Sequence, residues 1–154
     1  MDIDAKLAEL GIELPAAPKP LASYVPCIVS AGVAYCAGQV PMEDGKPMWT
    51  GRVGEEVSVE DGMAAARRCA LQTLAALREA LGGFDRLERI VRLEVFVASA
   101  PGFTGQPQVA NGASELFGSV MGDLGVHARA AVGVSELPLG VPVEVVVTAA
   151  VSGA

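Results

Sequence analysis

The stretch His127–Val147, HARAAVGVSELPLGVPVEVVV, decides how this chain is read. It holds two β-like apolar runs around the turn-like LPLGVP. From Leu124 to Ala154 only Arg129, Glu136 and Glu144 carry a formally charged side chain. Glu136 sits in the turn-like SELP, whereas Arg129 and Glu144 sit inside the apolar runs. An ionised side chain there is costly unless it is paired or faces a cavity. Two such residues in adjacent strand candidates suggest either a site or a buried Arg–Glu ion pair that ties strands together.

Strand side chains alternate between faces. Ala130, Val132 and Val134 therefore share one face of the first run, and Arg129, Ala131, Gly133 and Ser135 the other. Small neighbours leave open space beside the guanidinium. In the second run Val143, Val145 and Val147 oppose Glu144, Val146 and Thr148. The loop LPLGVP is expected to return the chain antiparallel.

The 154 residues are expected to form a single domain, 1–154, large enough to bury a sizeable core. Half of them (51%) are apolar and only 5% aromatic, so the core is built from small pieces. No run approaches the roughly 18 uninterrupted apolar residues of a membrane span. The acidic start MDIDAKLAEL lacks the basic and apolar regions of a secretory signal. The apolar excess points instead to a buried subunit interface. A net charge of −7 argues against a nucleic-acid backbone as partner. Cys27, Cys36 and Cys69 show no CxxC spacing, and His127 is the one histidine, which disfavours a zinc site. They read as reduced thiols of a cytoplasmic protein, Cys69 as core filler. No nucleotide fingerprint is present.

Residues 2–10 are expected to form a short helix stopped by Gly11. The proline-rich ELPAAPKPLASYVP runs extended, and residues 1–23 read as an N-terminal extension. Cys27–Ser30 and Val33–Ala37 flank Ala31-Gly32 as a hairpin candidate. Asp44-Gly45 signals a second turn. Ser58 caps a helix running to about Leu81, with Glu60 and Asp61 in its first turn and Gly82-Gly83 at its end. Val91, Leu93, Val95 and Val97 share one face of a strand within 85–98, with Arg92 and Glu94 opposite. Pro107 opens a second helix to about residue 122. This order of elements suits one mixed sheet with both helices on one face. Symmetric copies of the chain would cover the other.

These residues resemble the Rid family, the reactive-intermediate (imine/enamine) deaminases also called L-PSP endoribonuclease-like proteins. The resemblance runs from SYVPCIVSAGVAYCAGQVPM through VRLEVFVAS and ANGASELF to HARAAVGVSELPLGVPVEV, where it is most specific. LGIELPAAPKP and GFTGQPQVANGAS resemble a long-N-terminus subgroup. The resemblance implies a chorismate-mutase-like α+β fold assembled as a homotrimer. It implies hydrolysis of 2-imino or 2-enamino acids to 2-keto acids and ammonia in a cleft between subunits, without metal or cofactor. It assigns Arg129 to the substrate carboxylate, Glu144 to a water, and Tyr24, Gly38 and Asn111 to the cleft. Ala131 stands where members often carry a cysteine that contributes mainly through its backbone. Ala37 replaces the serine usual before Gly38, and so loses a hydroxyl for substrate.

The chemistry suits the residues. A guanidinium fork grips a planar carboxylate at two points. Imine hydrolysis needs only an aimed water and a modest proton acceptor. His127 reads as a structural or rim residue with an acid–base range open to it. Two other readings stand beside the deaminase. One is a non-catalytic trimer, carboxylate-binding or chaperone-like, which Ala37 favours. The other is a chorismate-mutase-like isomerase. A ribonuclease is the weakest reading, because no basic channel or base-stacking aromatics are visible.

Overall fold

The computed structural model describes residues 1–19 and 23–153. Its elements are α1 (Ile3–Glu9), β1 (Cys27–Ser30), β2 (Val33–Cys36), β3 (Met42–Glu43), β4 (Lys46–Pro47), α2 (Val59–Leu81), β5 (Leu87–Ala98), α3 (Gln106–Met121), β6 (Ala128–Val134) and β7 (Val143–Val151). Residues 12–19 form neither helix nor strand, as the proline-rich composition predicts. The continuation of that segment through Pro20–Ala22 lies outside the described residues.

Local chemistry sets most of these boundaries. Ala31 (φ 50°) and Gly32 (φ 76°) form the two-residue turn of the β1–β2 hairpin, and Asp44 (φ 49°) and Gly45 (φ 76°) that of β3–β4. Positive φ at both central positions matches the right-handed twist of the flanking strands. Ser58 Oγ accepts the Asp61 N–H at 3.1 Å and caps α2. At the other end Gly82, at φ 71°, returns its N–H to Arg78.

The main sheet has five strands in the order β1-β2-β7-β5-β6. β5 and β6 run parallel, and α3 supplies the crossover that a parallel pair requires. The other neighbours are antiparallel. The return from β6 to β7 is antiparallel as expected, although the two strands are not neighbours in the sheet. Strand β5 is hydrogen-bonded between them.

The helices pack on one face of the sheet. There Val143, Val145, Val147, Leu93, Val95 and Val97 are wholly buried against α2 and α3. The short N-terminal helix expected over residues 2–10 also forms, as α1, and adds Ile3 and Leu7 to the same core. The pair β3–β4 forms a small separate sheet. One expectation along β5 fails. Val91 is exposed and Ile90 takes the core position, because the β5–β7 register shifts between Ile90 and Arg92. Such a bulge inserts an extra residue and resets the alternation.

The opposite sheet face has no helix on it. The paired positions there are Ile28, Tyr35, Thr148 and Arg92; Val146, Glu94 and Ala130; and Glu144, Phe96 and Val132. Arg92 and Glu94 pair within one strand at 3.3 Å rather than across strands.

The crossing of α2 and α3 is the tightest joint in the core. A Cβ on Gly112 would strike the Met63 carbonyl, which is backbone and has no side-chain freedom to yield. Gly112→Ala is expected to destabilise the chain by about 3 kcal/mol in denaturant unfolding, at the upper end of overpacking costs. Wild-type stability in that variant would show that the helices can separate freely.

Candidate functional site

Arg129 lies on β6, the edge strand, opposite Leu93 of β5. Its side chain therefore points to the helix side of the sheet. There Nη1 donates to Asn111 Oδ1 at 2.8 Å and to Ser114 Oγ at 3.1 Å, and Nη2 donates to the Pro107 carbonyl at 3.2 Å. Pro107, Asn111 and Ser114 are spaced i, i+4, i+7 and make one stripe of α3. All three acceptors are neutral. Among the described residues no carboxylate lies within ion-pair distance of Arg129. A guanidinium has five N–H donors, and the stripe engages three of them. Ser114 also touches His127, with Oγ 2.9 Å from Nε2. A cavity of about 300 Å³ opens beside this cluster, lined by Ser114, Gly118, Gly125, Val126, His127 and Arg129.

Glu144 lies on β7 opposite Phe96 and is half-buried. Burial pushes its carboxyl above its ordinary value. Gly38 lies directly against it. A Cβ at that position would sit 3.0 Å from Glu144 Cδ and Oε2, so any larger residue would make the carboxylate shift by a few tenths of an ångström. The Gly38 segment is held firmly. Gln39 exchanges both backbone hydrogen bonds with Val145, at 2.8 and 3.0 Å. Its buried side chain accepts from Gln72 Nε2 of α2 at 3.1 Å. Gln72 also donates to Val40 O at 2.8 Å and accepts from the Met42 N–H at 2.9 Å. This amide strut fixes the segment after β2 to both α2 and β7.

The chain therefore presents two clusters. Arg129 joins Asn111, and Glu144 joins Gly38. The clusters do not meet within one protomer, because Leu93 and Phe96 are three positions apart on β5 and face opposite ways. A buried Arg129–Glu144 ion pair, the structural alternative in the sequence, does not form. Ala131 is half-buried on the helix side next to Val95. Tyr24 is exposed in the segment leading into β1. Sequence reasoning missed Ser114 and Gln72. The α3 spacing from Pro107 was one available signal, and an amide inside the apolar LQTLAAL was the other.

Among the described residues no group of three His, Cys, Asp or Glu side chains is placed to hold a metal ion. The three cysteines are free thiols. Burial pushes the Cys69 thiol far up, with the Glu144 charge a second cause, as suits an inert core side chain. Among the described residues no helix is long and apolar enough to cross a membrane.

Comparison with known proteins fits this architecture. The family model described as Endoribonuclease L-PSP matches residues 14–151. The chain belongs to that family, which includes the proteins called Rid. Protein TCP17 of Trypanosoma cruzi is 49% identical over 144 residues, 93% of this chain and 90% of the relative. The crystal structure of Atu1372 from Agrobacterium tumefaciens, a protein of unknown function, shares 43% identity. Its TM-score is 0.90 over 97% of this chain and 92% of that one. A putative endoribonuclease from Shewanella oneidensis MR-1 shares 29% identity with a TM-score of 0.92, over 97% and 99% of the two chains.

The burial of Glu144 has a pH signature. The folded chain holds this proton more tightly than the unfolded chain, whose carboxyl titrates near its ordinary 4.5. Stability from this source is whole below that value and falls as pH rises through the higher folded one. Glu144→Gln removes the titration. It is expected to melt a few degrees above wild type at neutral pH, the gap closing as the solution is acidified below pH ~4. A gap that persists in acid would assign the effect to packing instead.

Proposed function

We propose that the chain is a hydrolytic deaminase of 2-imino and 2-enamino acids, acting in clefts between the subunits of a homotrimer. The observation that carries this reading is Arg129, a braced guanidinium that among the described residues has neutral partners only and no carboxylate beside it. A substrate carboxylate supplies the missing anion through a planar two-point grip. Glu144, desolvated and raised in pKa, holds a water and accepts its proton as the water attacks the imine carbon. Glu144 passes that proton to the nitrogen, and the carbinolamine so formed collapses to the 2-keto acid as its hydroxyl proton moves to the departing ammonia. Gly38 lets a neighbouring group approach Glu144 closely, and Asn111 fixes the guanidinium. On this reading Tyr24 and the backbone at Ala131 line the cleft.

The separation of the two clusters supports a cleft shared between subunits. Arg129 of one protomer and Glu144 of the next make one cleft. The helix-free sheet face, with Ile28, Tyr35 and Val132 exposed, is the apolar surface such a contact covers. E. coli TdcF, which shares the fold at 20% identity, has been crystallised with bound serine. An amino acid carries the carboxylate that Arg129 is proposed to take. The loss of a hydroxyl at Ala37 favours the competing reading, a trimer that binds small carboxylates without turnover.

Ammonia release from an imino acid generated in situ by an amino-acid oxidase tests the activity. Wild type is expected to accelerate it. Arg129→Ala removes most of the acceleration, since positioning contributes several kcal/mol (roughly 7–11 at its upper end). Arg129→Lys also largely fails, because an ammonium cannot reproduce the fork. Glu144→Gln keeps keto-acid binding and loses turnover. No acceleration with small, branched or aromatic imines, together with Arg129-dependent keto-acid binding, would leave the binding protein as the function.

Light scattering is expected to report three chains. Mixing separates the cleft model from a site within one chain. Co-refolding Arg129→Ala with Glu144→Gln should restore roughly a quarter of the clefts, those with Arg129 from one variant and Glu144 from the other. Co-refolded variants as inactive as either alone would sink the shared cleft.

A further inference from the structure

The polar chain behind Arg129 continues past the residues that touch the guanidinium. Ser114 Oγ accepts from Arg129 Nη1 at 3.1 Å and lies 2.9 Å from His127 Nε2. On the far side of the ring, Nδ1 lies 2.6 Å from the Gly125 carbonyl. A carbonyl oxygen only accepts, so Nδ1 carries the hydrogen, and in the neutral ring Nε2 is an acceptor. Ser114 must then give its single hydroxyl hydrogen to His127. Its lone pairs are left facing Arg129. The relay therefore has one direction, from Arg129 N–H to Ser114, from Ser114 O–H to His127, and from His127 Nδ1–H to Gly125.

Both ends of the relay rest on rigid parts of the fold. The imidazole meets the buried Phe117 ring edge-on, with centroids 6.3 Å apart at 81°. Gly125 is buried against α3, and a Cβ there would strike the Phe117 carbonyl. Ser114 lies mid-helix, where a serine commonly bonds back to the carbonyl four residues earlier. Here its hydroxyl is turned outward to the strand instead. Without His127 that hydrogen is free to turn back to the helix or toward the guanidinium, where it opposes the Arg129 donors.

The brace also adds no negative charge. A carboxylate in the place of Ser114 would hold Arg129 as well or better, but it would compete with any anionic ligand. A hydroxyl set by an imidazole adds no anion, so it orients the guanidinium and leaves its charge available.

We propose that Ser114 and His127 are positioning residues that hold Arg129 in its carboxylate-binding orientation through this one-directional relay. The proposal rests on the reading of Arg129 given above. It adds two residues to the site that do not touch substrate and act through the arginine.

Calorimetric titration with 2-ketobutyrate, alongside imine turnover, tests it in the full-length protein. Ser114→Ala and His127→Leu are expected to weaken keto-acid binding about ten-fold, the scale of one lost hydrogen bond to a charged group. KM should rise by a similar factor while kcat changes less, with melting temperature near wild type. Ser114→Thr, which keeps the hydroxyl, restores binding. His127→Gln, which keeps an acceptor near the Nε2 position, restores part of it. In proton–nitrogen spectra the Arg129 Nη–H signals, assigned by their loss in Arg129→Lys, are expected to be resolved in wild type. They should merge in Ser114→Ala as the guanidinium rotates freely. Wild-type binding in Ser114→Ala and His127→Leu, with binding lost in Arg129→Ala, would overturn the relay and leave the anchor standing. Undiminished binding in Arg129→Ala would overturn the anchor and the relay with it. Should His127→Leu fail to fold, Ser114→Ala and its threonine rescue decide the question.

Discussion

Strand β5 lies between β6 and β7 and fixes which way the side chains on both of them point. Arg129 is registered with Leu93, and Glu144 with Phe96. An odd separation along a strand reverses the face, so the cation goes to the helix side and the carboxylate to the bare side. A direct β6–β7 hairpin would have allowed both on one face, where each would neutralise the other. With β5 inserted, each keeps its charge unspent. A slip of one residue in either pairing would carry a whole set of core valines to the wrong face, so the burial of Val143, Val145 and Val147 locks this arrangement.

The two faces of the sheet are satisfied very differently. The helix side is closed by small side chains, chiefly Val, Ala and Leu, many with no exposure at all. The bare side keeps Ile28 at 59%, Tyr35 at 51% and Val132 at 46% exposure. Each such side chain gains up to about 1.5–3 kcal/mol on burial. On the proposed reading another copy of the chain realises that gain, and in docking there it brings its own β6 edge toward Glu144. The strut formed by Gln39 and Gln72 matters in the same context. It holds the Gly38 segment within a single chain, between α2 and β7.

The local features of this fold were readable in the sequence because their causes are local. Ala31-Gly32 and Asp44-Gly45 turn where the backbone must adopt positive φ, and Ser58 and Gly82 bound α2 by capping. The position of β5 was not readable, because a strand inserted between two others is a long-range choice. Nothing within LPLGVP records it. The bulge near Val91 defeated the alternation rule for a related reason. Leu87, Ile90 and Leu93 reach the core at intervals of three, and only from Leu93 onward does strict alternation resume. In the site, Arg129 and Glu144 stood out as charges in apolar runs, and Asn111 and Gly38 came through family resemblance. Ser114 did not stand out, and His127 read only as a structural or rim residue, since serine and histidine are ordinary on a helix face and at a strand start. Only their distances make them a pair.

Most arginines have partners of another kind than those of Arg129, although Arg68 also donates to neutral acceptors, the Met42 carbonyl and Gln72 Oε1, within the amide strut. Arg52, Arg78 and Arg92 each lie within 4 Å of a carboxylate, on Glu136, Asp4 and Glu94. Those pairs are exposed, and exposed pairs contribute little to stability. They nonetheless show where the fold neutralises its surface charge. Arg86 and Arg89 reach backbone carbonyls near chain ends and turns, which ties loops down. Arg129 fits neither pattern. Its acceptors come from one stripe of one helix, two of them are side chains, and one of those is itself set by an imidazole. Such a brace fixes orientation without cancelling charge. Glu144 is its complement, a desolvated carboxylate that no hydrogen-bond donor among the described residues reaches. One cluster lacks an anion and the other lacks a donor. On the proposed reading a planar acid together with a water supplies both at once, which a salt bridge between the two residues would have made unnecessary.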